Sequence, residues 1–159
     1  MYYQKYQHNS FSLVMMSDGE YLNHLFFDND DCSLELYEEK NLDIFDETKK
    51  WLDNYFLGNK SQNTLKIMLK GTNFQKEVWD ILLTIPYGHV MTYGEIASIM
   101  ALKKGIKKMS AQAIGQAVSQ NPIAIIVPCH RVIGKNNKLT GYRWGNEIKE
   151  KLLRLEGIL

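Results

Sequence analysis

The hydrophobic pattern of the chain changes at residues 70–72. Before this point, apolar and aromatic residues alternate or cluster as they do in β-strands, over residues 11–16 and again over 21–27. Beyond it, apolar residues recur three and four positions apart, which is the spacing of helices that pack on a core. The change predicts a two-domain α+β or α/β protein. Residues 1–70 form a small β-sheet domain with a helix, and residues 71–159 form a helical domain.

Turn and capping residues subdivide both domains. Gly58 is placed to end a helix, Thr72 or Asn73 to begin one, and Thr92 and Ser110 to begin two more. The predicted helices are residues 46–56, a segment from 72 or 73 to 85, 93–100, 111–120 and 147–155, and two further strands are predicted over 64–69 and over the apolar run 123–127.

Composition favours an ordinary globular protein. The chain has 159 residues, of which 45% are hydrophobic and 23% charged, so it can bury a core without a disulfide or a structural metal. It contains no apolar run of the roughly 18 to 20 residues that span a membrane. The start of the sequence, MYYQKYQHNSFS, lacks the basic and apolar regions of a signal peptide. We therefore expect a cytoplasmic protein with no membrane partner.

The cysteines do not indicate a metal site. Cys32 and Cys129 are far apart and form no CxxC pair, so each is either a buried structural thiol or a reactive one. Cys32 can be combined on paper with His8, His24 and His89, but their spacing matches no zinc motif, and core or surface roles are favoured. We expect no metal and no cofactor.

The net charge of +1 conceals an uneven distribution. Residues 1–70 carry seven Lys and twelve Asp or Glu, a net charge of −5, whereas residues 71–159 carry twelve Lys or Arg and six acids, a net charge of +6. A basic domain is suited to a polyanion such as DNA, because each neutralised phosphate releases condensed counterions. Two solvated faces of opposite sign would give the same distribution.

The predicted helices 93–100 and 111–120 resemble a helix-turn-helix. A basic turn at residues 103–108 joins them, and the second is rich in small residues, among them Ala111, Ala113 and Gly115. This pattern gives the second domain a winged-helix-like character. The small residues allow the helix backbone to approach a partner closely, although packing against another helix explains them equally well.

Cys129 is followed directly by His130 and Arg131. A thiolate is the competent nucleophile, and a thiol forms one near neutral pH beside a positive or proton-accepting group. His130 can serve Cys129 only where the backbone turns, and Pro128 is suited to such a turn. A base of this kind also needs an orienting acceptor, for which Glu156 is a candidate. The alternative is that Cys129 is a small core residue.

The stretch IVPCHRVI at residues 126–133 resembles the active-site signature of the O6-alkylguanine-DNA alkyltransferases, also called methylated-DNA-protein-cysteine methyltransferases. The resemblance extends upstream over FQKEVWDILLTIPYGHVMTYGEIA (74–97) and downstream through TGYRWG (140–145) to residues 155–157. It covers the second half of the chain in order and spacing. PCHRV with these flanks is far more specific than a lone cysteine or a helix-turn-helix.

The resemblance implies a DNA repair protein that acts once. Such a protein transfers the alkyl group of O6-alkylguanine in double-stranded DNA, with O4-alkylthymine as a further candidate, to its own cysteine, here Cys129, without a cofactor. His130 is implied as the base acting through a water, and Glu156 as the acid that orients it. We expect a monomer that flips the damaged base through the minor groove. The positions implied for guanine and DNA binding are Tyr93, Ala111, Gln112, Ala113, Gly115, Asn121, Arg131, Val132, Tyr142 and Arg143, with Asn121 bracing the turn before the cysteine and Arg131 more structural than DNA-binding.

Gln112 departs from the family pattern. It occupies the position from which an arginine usually enters the base stack to replace the flipped nucleotide. Glutamine can wedge and form hydrogen bonds but has neither the charge nor the stacking plane of arginine. The departure implies retained chemistry with weaker flipping or damage search, unless the neighbouring lysines of the turn compensate.

Two alternative functions belong to other classes of protein. A catalytically silent damage binder of the alkyltransferase-like kind has tryptophan where this chain has Cys129, so the sequence argues against it. A winged-helix transcriptional regulator leaves the PCHRV run, Tyr142 and Glu156 unexplained.

Overall fold

The computed structural model describes residues 1–60 and 64–159. The chain forms two compact units, Met1–Lys70 and Gly71–Leu159. The first contains a small sheet with one long helix and the second is mainly helical, so the predicted fold class is confirmed. In the described ranges, no helix combines the length and the apolar character that crossing a membrane requires.

The N-terminal unit is a four-stranded sheet with the strand order β3-β2-β1-β4. Strands β1, β2 and β3 are antiparallel neighbours, and the short β4 pairs with β1 in parallel. The predicted hairpin is present as β2 and β3, whereas β1 was not predicted. The elements are β1 (Tyr2–His8), β2 (Phe11–Ser17), β3 (Leu22–Phe27), β4 (Glu38–Glu39) and helix α1 (Asp43–Phe56).

Helix α1 supplies the other half of this unit's core. Phe45, Leu52 and Tyr55 are buried on it, as are Met15 and Leu25 on the sheet. The helix begins three residues before the predicted start, because Ile44 and Phe45 of its first turn already pack inward. The strand predicted over residues 64–69 is wrong: this segment makes a single bridge, between Ile67 and Leu22.

The C-terminal unit is built from four helices and a two-stranded parallel sheet. Thr72 begins its first helix with a capping box to Gln75, and the hydroxyls of Thr92 and Ser110 accept from the third residue of the next two helices. All three predicted caps are therefore confirmed. The elements are α2 (Asn73–Leu82), β5 (Met91–Thr92), α3 (Tyr93–Lys104), α4 (Ala111–Ser119), β6 (Val132–Ile133) and α5 (Asn146–Leu155).

The strand predicted over residues 123–127 is also wrong. The run is buried as expected, but it folds into a turn in which the Val127 amide donates to the Ile123 carbonyl at 3.2 Å. Ile125 has a φ of 67°, a left-handed conformation that β-branched residues rarely adopt. A continuous apolar run indicates that a segment is buried, but not that its backbone is extended. The composition of residues 123–127 therefore did not distinguish a strand from a turn.

Candidate active site

Cys129 begins a short 3-10 helix, Cys129–Arg131, that follows the buried turn. Pro128 occupies the position before it, where its fixed φ suits the change of direction. The turn brings Cys129, His130 and Arg131 into the interior together, instead of on alternating sides of a strand. Cys129 is only 3% exposed, so the residue is buried in the unit.

Asn121 connects the end of α4 to this turn and to the sulfur. Its side-chain Nδ2 donates to the carbonyls of Ile123 at 3.1 Å and Val127 at 2.9 Å, and lies 3.2 Å from Cys129 Sγ. Its Oδ1 accepts from the Ile123 amide at 3.0 Å. Asn121 is completely buried, so one side chain replaces the strand partners that the turn lacks and also donates to the thiol.

His130 and Glu156 form a buried pair. The His130 ring is completely buried, and its Nε2 lies 2.5 Å from Oε2 of Glu156 at the end of α5. With Nε2 engaged by the carboxylate, Nδ1 is the ring nitrogen that can accept a proton. Burial lowers the pKa of His130, which favours the neutral imidazole that a base requires.

Arg131 completes a network around the same carboxylate. Its Nε and Nη2 donate to the two oxygens of Glu156 at 2.8 and 3.2 Å, and its Nη1 donates to the Ile85 carbonyl at 2.8 Å. Glu156 Oε1 also accepts from the Gly88 amide at 3.0 Å. Burial alone would raise the pKa of Glu156, but His130 and then Arg131 outweigh it and lower the pKa to about 2. The Arg131 guanidinium, which points inward, therefore helps to keep Glu156 ionised.

The environment of Cys129 opposes ionisation in the DNA-free state. Burial raises the pKa of its thiol to about 11. The hydrogen bond from Asn121 and the charges of Lys149 and Arg143 act in the opposite direction. The resting thiol is therefore protonated, and a base is needed to remove its proton when it reacts.

Lys149 is a functional candidate that the sequence reasoning did not identify. It lies on α5 and is completely buried, and its Nζ donates to the carbonyls of Val132 at 2.5 Å and Thr140 at 3.1 Å. Burial lowers its pKa to about 8, while the Cys129 thiolate acts to raise it. Its position three residues before Leu152, on the apolar stripe of α5, was the available signal, because a charge on such a stripe is rarely buried without a partner.

An open cavity of about 540 Å³ lies between α4 and the loop after β6. Two of its lining residues are joined by a hydrogen bond, in which the Tyr93 hydroxyl donates to the Thr140 carbonyl at 3.1 Å. Gly141 has a φ of +74°, and a Cβ at this position would lie 3.3 Å from the Tyr93 hydroxyl, so the wall is closely fitted there. Four of the predicted site residues line this cavity; the full lining is Tyr93, Ala111, Gln112, Gly115, Gln116, Ser119, Thr140 and Gly141.

Four other predicted residues, Ala113, Val132, Tyr142 and Arg143, are not among those that line this cavity. Val132 is completely buried, and its carbonyl accepts from Lys149. Tyr142 is 8% exposed and packs edge-on against Trp144, with ring centroids 5.4 Å apart. Arg143 stacks over the same indole and donates through Nη1 to the Asn121 carbonyl at 3.3 Å. Ala113 lines a second groove, of about 490 Å³, on the side of α4 that faces the start of α2.

No group of three or more His, Cys, Asp or Glu side chains in residues 1–60 and 64–159 is placed to hold a metal ion. Cys32 and Cys129 are both free thiols. The groups that lie at the site are the thiol of Cys129, the imidazole of His130, the carboxylate of Glu156 and the buried ammonium group of Lys149.

Comparisons with known proteins agree with this arrangement. Residues 73–158 match the family described as 6-O-methylguanine DNA methyltransferase, DNA binding domain. The chain is 42% identical to the methylated-DNA–protein-cysteine methyltransferase of Methanosarcina acetivorans over 99% of both chains, and 35% identical to that of Haemophilus influenzae over 99% of this chain and 87% of the other. The structure of Mycobacterium tuberculosis OGT in complex with DNA superimposes with a TM-score of 0.85 at 38% identity, covering 98% of this chain and 92% of that chain.

The fold and site define a two-domain protein with a buried free cysteine, Cys129, in the same unit as a pair of consecutive helices, α3 and α4. The chain belongs to the methylated-DNA–protein-cysteine methyltransferase family.

Proposed function

We propose that this protein repairs DNA by transferring the alkyl group of O6-alkylguanine to the sulfur of its own Cys129, once per molecule. The observation that carries the proposal is a buried hydrogen-bond network next to Cys129. His130, which follows Cys129 in the chain, contacts Glu156, and Glu156 accepts from Arg131. It provides a sulfur nucleophile, a neutral base and a fixed acid to orient the base, which is the set of groups that nucleophilic displacement by a thiol requires.

The reaction proceeds as a direct displacement. The thiol proton of Cys129 passes through a water to Nδ1 of His130, whose Nε2–H donates to the ionised Glu156. The sulfur then attacks the alkyl carbon, so that an S–C bond forms as the C–O6 bond breaks. The electron pair of the broken bond stays on the guanine, which takes up the proton that His130 received from Cys129 and returns to its normal form, leaving His130 neutral. Atoms and charge balance without a cofactor.

Lys149 and Asn121 support the sulfur as its charge develops. The Asn121 amide donates to Sγ at 3.2 Å, and the positive charge of Lys149 favours the thiolate. Lys149 also fixes the carbonyls of Val132 and Thr140, of which the second accepts from Tyr93 at the cavity wall. Lys149 is therefore a positioning residue that links the wall of the cavity beside Tyr93 to the nucleophile.

The target base reaches the sulfur only outside the duplex. A guanine stacked in DNA cannot present its O6 substituent to a thiol that is 3% exposed. The cavity beside Tyr93 is the entry for the flipped nucleotide, and Gly115 on α4 allows the helix to approach the minor groove closely. Gln112, exposed at the rim of this cavity, is positioned to fill the gap left in the base stack.

The product explains why the protein acts once. An alkylated cysteine is a thioether, and water does not displace carbon from a neutral thioether under mild conditions. The same reactivity requires a reduced thiol, which agrees with action in the cytoplasm.

Neither alternative uses the site fully. A silent damage binder needs no nucleophile, and a transcriptional regulator needs neither the buried thiol nor the His130–Glu156 pair. Both alternatives predict DNA binding without any covalent change to Cys129.

The test is a single-turnover assay on a duplex with one O6-methylguanine. We expect loss of one methylated base per active protein molecule, after which added duplex stays unrepaired. The Cys129→Ser variant, which keeps the size of the side chain, should bind the duplex without repairing it. Continued turnover by the wild type, or repair by the variant, would rule the proposal out.

A further inference from the structure

Four lysines lie within six consecutive positions where α3 ends and the chain turns toward α4, namely Lys103, Lys104, Lys107 and Lys108. Every residue from 102 to 108 is exposed. Lys104 forms an ion pair with Glu77, with Nζ 3.2 Å from Oε2. Within the described ranges, the other three lysines form no ion pair, so their charges face solvent.

The connection is longer than that of a typical helix-turn-helix. Gly105 ends α3 with a φ of +65°, and α4 begins after Ser110, so six residues join the helices where three or four are usual. The connection leads directly into the N-terminus of α4, where the helix dipole also favours an anion. The turn therefore carries its positive charge beside the start of α4, the helix that lines the cavity beside Tyr93.

Helix α4 itself carries no charge. Its sequence, AQAIGQAVS, presents the amides of Gln112 and Gln116 and small side chains at the cavity. Amides can form hydrogen bonds in the minor groove but release no counterions from DNA. The charge that holds a phosphate backbone against this face must therefore come from another part of the unit.

We propose that residues 103–108, the lysine turn, are the principal phosphate-binding surface of this protein, and that Lys103, Lys107 and Lys108 contact the backbone of the strand next to the flipped nucleotide. The proposal rests on the proposed function in one respect, namely that the lesion enters the cavity beside α4. Lys108 precedes Gln112 by four residues, at most about 14 Å of extended chain. At about 3.4 Å of helix axis per nucleotide, this distance lies within about four nucleotides of the lesion.

A surface that binds phosphates and takes no part in the transfer step has two measurable consequences. Phosphate contacts are independent of damage and sensitive to salt, so the lysine turn governs binding to undamaged duplex as well. The transfer step uses none of the three lysines. Reaction with free O6-methylguanine, a single base with no phosphates, should therefore not depend on them.

The test compares full-length wild type with the triple variant K103Q/K107Q/K108Q. Binding to an undamaged duplex is measured by fluorescence anisotropy over a range of salt concentrations, and transfer from free O6-methylguanine is measured by protein mass. The matched control is K50Q/K60Q/K66Q, which removes the same charge from three exposed lysines of the N-terminal unit. Thermal unfolding of each variant establishes that it is folded.

We expect the slope of log K against log salt concentration to become shallower by about 2 to 3 in the triple variant, because each lost phosphate contact contributes about 0.9. The control should keep the wild-type slope, and all three proteins should react equally with the free base. An unchanged slope in the triple variant would overturn the proposal, as would an equal change in the control. Failure of the wild type to become methylated would contradict the proposed function and not the role of the turn, which the undamaged duplex tests separately.

Discussion

His130 Nε2 lies 2.5 Å from Glu156 Oε2, although 26 positions separate the two residues in the chain. Arg131 holds the same carboxylate through two nitrogens, so a histidine and an arginine that are adjacent in sequence share one acid. The three groups are buried and mutually oriented without DNA. In the proposed reaction the base is therefore preorganised, and binding of the lesion has only to bring the alkyl carbon to the sulfur.

Replacing Glu156 with glutamine should separate transfer from binding. Glutamine cannot stabilise the imidazolium that forms as His130 takes the proton, so the single-turnover rate of methyl transfer should fall by about 100-fold or more. Affinity for the lesion duplex should change little, because Glu156 is buried and is not exposed for contact with DNA. A transfer rate within twofold of the wild type would exclude this role for the carboxylate.

The same substitution should destabilise the fold. It leaves the buried Arg131 without its counter-ion, which typically costs about 3 to 5 kcal/mol when one partner of a buried pair is removed. Urea unfolding monitored by tryptophan fluorescence measures this cost. The double variant Arg131→Met with Glu156→Gln should recover part of it, since no uncompensated charge remains.

Stability should decrease at acid pH in a way that depends on Glu156. Its pKa is about 2 in the folded protein against an ordinary value of 4.5, so the unfolded chain binds the proton more readily. The stability that this group contributes is present above pH 4.5 and is lost as the pH falls toward 2. Urea midpoints measured from pH 6 downward, with Glu156→Gln for comparison, should show a shallower decline in the variant. Parallel curves would contradict the assignment.

Replacing Lys149 with methionine should slow transfer and move its pH dependence. Removing the positive charge raises the pKa of the Cys129 thiol further, and each unit of increase lowers the thiolate fraction about tenfold. The rate should therefore need a higher pH than in the wild type to reach a given value. Lys149→Arg, which keeps the charge, is the control. An equal loss of rate in Lys149→Met and Lys149→Arg would indicate a purely structural role, because only the first substitution removes the charge.

Replacing Gln112 with arginine should improve capture of the lesion. Arginine adds a charge and a planar group at the rim of the cavity, and in the proposed reaction this group can fill the gap that the flipped nucleotide leaves in the base stack. We expect faster transfer from the O6-methylguanine duplex when protein is limiting, with no change for the free base. Gln112→Ala should act in the opposite direction. Equal rates in all three proteins would show that this position does not assist flipping.

Local signals in the sequence predicted most of the fold. Thr72, Thr92 and Ser110 began helices because side-chain caps depend on a few neighbouring residues. The apolar run at residues 123–127 misled the prediction because burial alone does not distinguish a strand from a turn. Asn121 determines its conformation, and that role depends on four hydrogen bonds to a segment that only the folded chain brings together.

The site was predictable only in part. The resemblance implied roles for Cys129, His130 and Glu156, and the structure brings His130, the neighbour of Cys129 in sequence, into contact with Glu156. Lys149 could not be found by motif, because its partners are backbone carbonyls of Val132 and Thr140, which have no sequence signature. The inward orientation of Arg131 likewise depends on Ile85 and Glu156, which are remote in sequence.

The most direct test of the account is the mass of the intact protein after incubation with a duplex that carries one O6-methylguanine. We predict the gain of one methyl group, which peptide mapping assigns to Cys129 and not to the other thiol, Cys32. Cys129→Ser should gain nothing. An unchanged wild-type mass with the lesion duplex bound, or a methyl group mapped to another residue, would contradict the claim that Cys129 is the acceptor.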